Sequence, residues 1–151
     1  MSNFNLTIRA AQLSDLEVLA DLFNQYRAFY GKSEDHTAAP QFLQAHLNNA
    51  TSQIYVAEIE NQLAGFVQLY PSWSSLSMGK IWIVNDLFVQ QDFRQFGVGK
   101  ALMNQAIAFA KQHAAVYVGL ETGKENFVAQ RLYQQLGFEI DHDNYHLYLN
   151  G

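Results

Sequence analysis

Between Asn85 and Lys100 the chain reads Asn-Asp-Leu-Phe-Val-Gln-Gln-Asp-Phe-Arg-Gln-Phe-Gly-Val-Gly-Lys, a stretch whose residue types suit an anion. A strand-like apolar run ends at Val89, the polar Gln90-Gln91-Asp92 breaks it, and an apolar-periodic segment opens at Val98. Arg94, Gly97 and Gly99 fall at that junction. Glycines let a ligand come close to the backbone. The first N–H groups of a helix have no internal partners, and the helix dipole favours negative charge in front of them. The backbone of Gln95, Phe96, Gly97, Val98, Gly99 and Lys100, with the Arg94 guanidinium beside it, is therefore a candidate site for a phosphate-sized anion. Two glycines one residue apart also fit a loop that needs them for its turn, and the pattern alone leaves both readings open.

The spacing from Val89 to Gly99 resembles the signature of the GNAT superfamily of N-acetyltransferases, in which a strand ending in Val is followed by Arg/Gln-x-x-Gly-x-Gly/Ala. A second block is similar to the same family: Asn126, Ala129, Leu132-Tyr133 and Leu136-Gly137-Phe138. The two blocks come in the family's order and at its usual separation. The resemblance implies acetyl-CoA as co-substrate, its pyrophosphate cradled by Arg94 to Lys100. It also implies a pantetheine arm lying along the backbone of Leu87, Phe88 and Val89, where the strand is bulged and splays from its parallel neighbour. The N–H of Val89 or Phe88 then polarises the thioester carbonyl, and Asn126 hydrogen-bonds the arm. Tyr133 matches the family's general-acid tyrosine. A thiol ionises near pH ~8.5 and a phenol near ~10, so orienting the sulfur is as much its role as giving up a proton. On periodicity alone, Ala129, Leu132, Tyr133 and Leu136 form an apolar helix face on which a tyrosine is core, and Asn126 suits a helix cap.

The run Ile81-Trp82-Ile83-Val84-Asn85-Asp86-Leu87-Phe88-Val89 most resembles the diamine (spermidine/spermine-like) acetyltransferases, which often carry Glu where this chain has Asn85. An amide cannot take a proton, so Asp86 becomes the candidate that attracts the alkylammonium or works through water; a buried, hydrogen-bonded aspartate fits the same position. His142 and His146 are outside candidates. The acceptor pocket is expected from Phe29, Tyr30, Glu34, Asp35, Tyr70, Trp73 and Trp82, with Asn85 beside them, because aromatic rings with carboxylates suit an amine cation. The same residues also suit plain packing of a loop-rich edge. The implied reaction is direct transfer of an acetyl group from acetyl-CoA to a primary amine of a polyamine-like small molecule in a ternary complex. The alternatives are a protein lysine or N-terminus as acceptor, or a catalytically idle acyl-CoA-binding regulatory module. The family commonly pairs subunits near its C-terminal strands, which implies a homodimer.

Composition narrows the classes. The chain has 151 residues, enough for one domain over 1–151 with a real core. Hydrophobic residues at 49% against 15% charged exclude a disordered chain. A formal charge of −5 argues against a nucleic-acid partner, which needs a basic footprint. No apolar run reaches membrane-span length and the N-terminus lacks a basic-then-apolar signal, so no membrane partner and a cytoplasmic location are expected. The absence of cysteine removes disulfides and a thiol nucleophile. The histidines at 36, 46, 113, 142 and 146 are too scattered for metal-ligand spacing, so no metal is expected.

The elements that must position these residues follow from periodicity. Phe4 to Arg9 alternates as an opening strand. Ser14-Asp15-Leu16-Glu17 reads as a capping box for a helix carrying Leu16, Leu19, Ala20, Phe23 and Tyr26 and ending near Gly31. Pro40 suits the first turn of a second helix over Gln41 to Asn49. Gln53 to Glu60 and Leu63 to Tyr70 should pair as a hairpin about Asn61-Gln62, with Pro71 to Met78 a loop. Ile81 to Val89 is the pivotal strand, Val98 to His113 a helix, Val116 to Glu121 a strand, and Asn126 to Leu136 a last helix stopped by Gly137. Phe138 to Ile140 and Tyr145 to Leu149 complete a closing hairpin. The order β-α-α-β-β-β-α-β-α-β-β is that of an α/β (α+β) mixed sheet, mostly antiparallel with about four helices and one right-handed parallel crossover, matching the GNAT acyl-CoA N-acyltransferase-like fold.

Overall fold

The structure is a computed structural model and describes residues 5–151. Phe4, which begins the expected opening strand, lies outside the described residues. The chain divides into two compact units, one reaching Glu121 and the other starting at Thr122.

The first unit is a five-stranded sheet in the order β1-β2-β3-β4-β5: β1 Leu6–Ala10, β2 Gln53–Ile59, β3 Gln62–Ser74, β4 Gly79–Val89 and β5 Val118–Leu120. The first four strands pair antiparallel, and β5 joins β4 in parallel through the crossover helix α3, Val98–Gln112. Helices α1, Leu16–Phe29, and α2, Ala38–Asn49, connect β1 to β2. The core on their side joins Leu19, Leu22, Phe23 and Leu43 to Ile54, Val56, Phe66 and Phe88 of the sheet. Strand side chains alternate, so the residues between these face α3, where Tyr55 and Trp82 meet Phe109 edge-on at 6.0 and 4.8 Å between ring centres.

Three local expectations are corrected. The turn before α1 is not held by Ser14 and Glu17. Asp15 instead accepts the Gln12 backbone N–H at 2.8 Å and a two-pronged bond from Arg9, both prongs 2.8 Å. A carboxylate forked by a guanidinium is the stronger anchor than a neutral hydroxyl. Residues 71–74 are not loop: Pro71, Ser72, Trp73 and Ser74 pair with Trp82, Ile81, Lys80 and Gly79. Past Leu69, β3 no longer has β2 beside it, and a proline is tolerated on such an edge. The fifth strand is shorter than expected, pairing only at Trp82–Val84.

The second unit contains α4, Phe127–Gln135, which ends at Gly137 as expected. The closing hairpin does not form; residues 138–151 hold no strand. Asp141 closes a local turn, accepting from Asp143 N and Asn144 Nδ2 at 2.9 Å each. Tyr145, Leu147 and Leu149 are more than 90% exposed. Two strands without a third or a helix to cover one face are marginal.

Candidate active site

The chemistry of the first unit gathers where β4 changes face. The pairing of β3 with β4 shifts between Gln68 and Leu69: Gln68 lies opposite Asp86, and Leu69 opposite Val84. Asn85 is the extra residue of a β-bulge, a device that re-aims side chains. Without it, Asp86 would share the α3 face with Trp82 and Val84. With it, Asp86 joins Gln68 and Ile54 on the face covered by α1 and α2.

Asp86 is 5% exposed. Gln68 Nε2 donates to its Oδ2 at 2.7 Å, and Asn85 Nδ2 donates to its Oδ1 at 3.1 Å. Ser52 Oγ donates in turn to Gln68 Oε1 at 2.8 Å. Among the described residues no Lys, Arg or His forms an ion pair with Asp86. Burying a carboxylate without a cation is costly unless hydrogen bonds or a visiting cation offset it. Tyr70 lies on the same face, its phenol pushed up to about 12 by burial with the negative Asp86 adding to the effect, so it stays neutral. Its hydroxyl is 3.4 Å from His46 Nε2, and His46 Nδ1 is 2.7 Å from Thr51 Oγ1.

Aromatic rings run around this face. Phe42 meets His46 edge-on at 4.6 Å, Tyr26 meets Phe88 and Tyr30 edge-on at 6.3 and 5.2 Å, and the Tyr26 hydroxyl donates to Asn85 O at 3.3 Å. Sequence reasoning missed Tyr26, Phe42, His46 and Gln68. The four-residue spacings Tyr26/Tyr30 and Phe42/His46, which put each pair on one helix face, were the signal available for three of them. Nothing in the sequence marks Gln68, because its contact with Asp86 depends on the bulge.

Other expected acceptor residues fall elsewhere. Trp82 is buried against Phe109, and Trp73, opposite Lys80, shares the α3 face; the Lys80 ammonium sits over both rings at 5.1 and 5.9 Å. The alternation of β3 and β4 thus turns both tryptophans away from Asp86. Glu34 is exposed and pairs with His36 at 3.3 Å. Asp35 starts α2, accepting the Thr37 and Ala38 N–H groups at 3.0 and 2.8 Å, which hold its carboxyl below the usual range, the Ala38 bond most. A cavity of about 550 Å³ lies between α1 and the start of α2, and Asp86 is not in its lining.

The stretch expected to hold the anion is formed as a strand end, a turn and a helix start. Beyond Val84 no strand flanks β4 on its β5 side among the described residues, so Asn85 to Val89 is a paired strand with one open edge. Arg94 Nε donates to Val89 O at 2.9 Å and its guanidinium lies over the Phe88 ring at 5.6 Å. The Arg94 residue as a whole is exposed. Gln95 and Gly97 both have left-handed backbones, φ 72° and 76°, and Gly97 is the cap from which α3 starts. A Cβ built on Gly97 meets nothing within 4 Å, so the space before the helix start is open, and a pyrophosphate fits these residues. Upstream, Gly65 lies opposite Val89 and is needed for contact: a Cβ there would come within 2.5 Å of Phe88 O.

In the second unit, Asn126 Oδ1 accepts the Ala129 N–H at 3.3 Å, so it caps α4. Tyr133 is half-buried, and its ring meets Phe138 edge-on at 5.9 Å.

The family model described as "Acetyltransferase (GNAT) family" matches residues 19–138. The "Uncharacterized N-acetyltransferase YhfO" of Bacillus subtilis (strain 168) is 43% identical over 145 residues, covering 96% of this chain and 97% of that protein. A solved structure described as a probable acetyltransferase superposes with a TM-score of 0.90 at 38% identity, covering 96% of this chain and 99% of the other. An aminoglycoside acetyltransferase from a soil metagenome shares the fold, with a TM-score of 0.81 at 21% identity, over 96% and 95% of the two chains.

Proposed function

The chain belongs to the acetyltransferase (GNAT) family and is an acetyl-CoA-dependent acetyltransferase; from that premise we propose that its acceptor is a primary amine of a small, polyamine-like molecule and that Asp86 receives it. The observation that carries the reading is the buried Asp86 carboxylate, without a cationic partner among the described residues and on a face lined by Tyr26, Tyr70 and His46. Such a charge favours an alkylammonium, and the rings add cation–π attraction.

Bound acetyl-CoA supplies an activated acyl group as a thioester. The chain's own work is to hold and orient. The N–H groups at the start of α3, with Arg94, are suited to the pyrophosphate. The open edge of Asn85 to Val89 can add an extended arm as a further strand, and the N–H of Phe88 or Val89 can donate to the carbonyl oxygen. Asp86 draws the amine in and accepts its proton directly or through water. Tyr133 orients or protonates the departing sulfur, with Asn126 beside it, and the chain acts as one catalytic domain that pairs into a homodimer.

The test is an acetyl-CoA turnover screen across polyamines, aminoglycosides, amino acids and lysine peptides. The expected result is fastest turnover on a diamine or polyamine. Preference for a lysine peptide would move the acceptor to protein, and no turnover on any amine would leave an idle acyl-CoA-binding module.

A further inference from the structure

We propose that Gln68 positions Asp86 for the amine, and that Ser52 holds Gln68 in the one orientation that does so. The inference rests on the reading of Asp86 as the amine-side carboxylate. Gln68 has no exposed surface and lies on the core face of β3 with Ile54. An amide at such a place costs free energy that an aliphatic side chain would not. Both of its ends are used: Ser52 Oγ donates to Oε1 at 2.8 Å and Nε2 donates to Asp86 Oδ2 at 2.7 Å.

An ionised carboxylate only accepts, so a flipped Gln68 would set oxygen against oxygen, and the Ser52 hydroxyl fixes the far end. Asn85 Nδ2 serves the other carboxylate oxygen. Other polar groups on this face include the neutral phenol of Tyr70, His46 behind it on α2, Ser72 further along β3, and the Tyr26 hydroxyl on α1, which donates to Asn85 O. Two neutral amide donors orient the carboxylate without cancelling its charge. Its remaining lone pairs and its full charge are left for an incoming ammonium. Had Arg or Lys done the same positioning, the site would already be neutralised.

The test uses the full chain, spermidine as probe amine and saturating acetyl-CoA, with four variants: Gln68→Met, Gln68→Glu, Ser52→Ala and Asp86→Asn. Gln68→Met keeps length and loses the donor; it should raise the spermidine KM about tenfold and leave the acetyl-CoA KM unchanged, since hydrogen bonds to charged groups are the strong ones. Ser52→Ala should act in the same direction by about threefold, because it loosens Gln68 without removing it. Gln68→Glu places a second carboxyl against Asp86, and two carboxyls so close share one proton. Its pH–rate profile should therefore gain an ionisation that the native enzyme lacks. Gln68 variants that change the melting temperature yet keep the native spermidine KM and pH profile would reduce Gln68 to a structural staple and overturn the proposal. A native KM in Asp86→Asn would instead overturn the reading beneath it. Should Gln68→Met not fold, or spermidine not turn over, the side-chain amide resonance of Gln68 decides: it should move as carboxylates titrate in the native protein and stay still in Asp86→Asn. A resonance indifferent to Asp86 overturns the proposal.

Discussion

At the scale of single residues, two substitutions separate the amine side from the thiol side. Asp86→Asn removes a charge that no described cation balances, so it should raise the amine KM by about tenfold or more while leaving acetyl-CoA affinity intact. Tyr133→Phe should lower kcat by ~10²–10⁴-fold with acetyl-CoA affinity likewise intact, the usual worth of a general acid. Steady-state kinetics with calorimetric titration of the cofactor reads both, and full activity in Tyr133→Phe would make that ring only a neighbour of Phe138. A third residue bears on stability. The Arg9 fork, with the Gln12 N–H, holds the Asp15 carboxyl below its usual range. A carboxyl depressed on folding stabilises fully above its unfolded value, near pH ~3.9, and loses that stabilisation as pH falls through the folded value. Asp15→Asn should therefore cost about 1 kcal/mol at neutral pH, and urea titrations of the two proteins should converge in acid. Of these two carboxylates the sequence singles out only one. Asp86 stands out by its place beside Asn85, whereas the Arg9–Asp15 fork joins residues that only the turn before α1 brings together.

At the scale of elements, the sequence revealed most where one local rule governs and least where two strands must agree. The 3.6-residue periodicity of α1 and α3 and the stop at Gly137 needed no partner to be read. The long β3–β4 arm did, because Pro71 and its serines look like loop until Trp82 and Ile81 lie opposite. The bulge at Asn85 has no local signature at all; it is a mismatch between two strands, and with it went the true facing of Trp73, Trp82 and Gln68. Two helix termini make predictions. The end of α3 is a left-handed cap in which Ala114, at φ 55°, sits where glycine is usual: Ala114 N bonds Lys111 O at 3.1 Å and Ala115 N bonds Ala110 O at 3.0 Å. The left-handed region costs alanine ~1–2 kcal/mol, and glycine gives back ~0.4–1 kcal/mol through the unfolded chain. Ala114→Gly should thus be more stable by about 0.5 kcal/mol or slightly more, a gain readable in urea denaturation. At the start of α3, Gly99 is helical and has no left-handed backbone, so a side chain there meets no backbone strain but would crowd a bound pyrophosphate. Gly99→Val should keep its urea midpoint and lose acetyl-CoA affinity by at least about tenfold. Unchanged affinity in the folded variant would move the anion site elsewhere.

At the scale of the whole molecule, the expected closing hairpin raises the question of what the last residues do. In the second unit, Tyr145, Leu147, Tyr148 and Leu149 are each 89–96% exposed. Large apolar side chains left in water mark an interaction surface or an aggregation liability, and a segment with strand-like alternation that lies in no strand can pair with another chain. A second copy of the same chain is the partner always present, and a symmetric pair would bring together one such segment from each copy. A homodimer formed through this segment predicts dimers by light scattering at micromolar concentration, with mass falling to the monomer on dilution. Leu147→Asp together with Leu149→Asp, which charges the patch and touches neither Asp86 nor the α3 turn, should give a folded monomer that still binds acetyl-CoA. Monomeric mass for the native chain at micromolar concentration would remove the dimer from the account and leave the proposals for Asp86 and the α3 turn untouched.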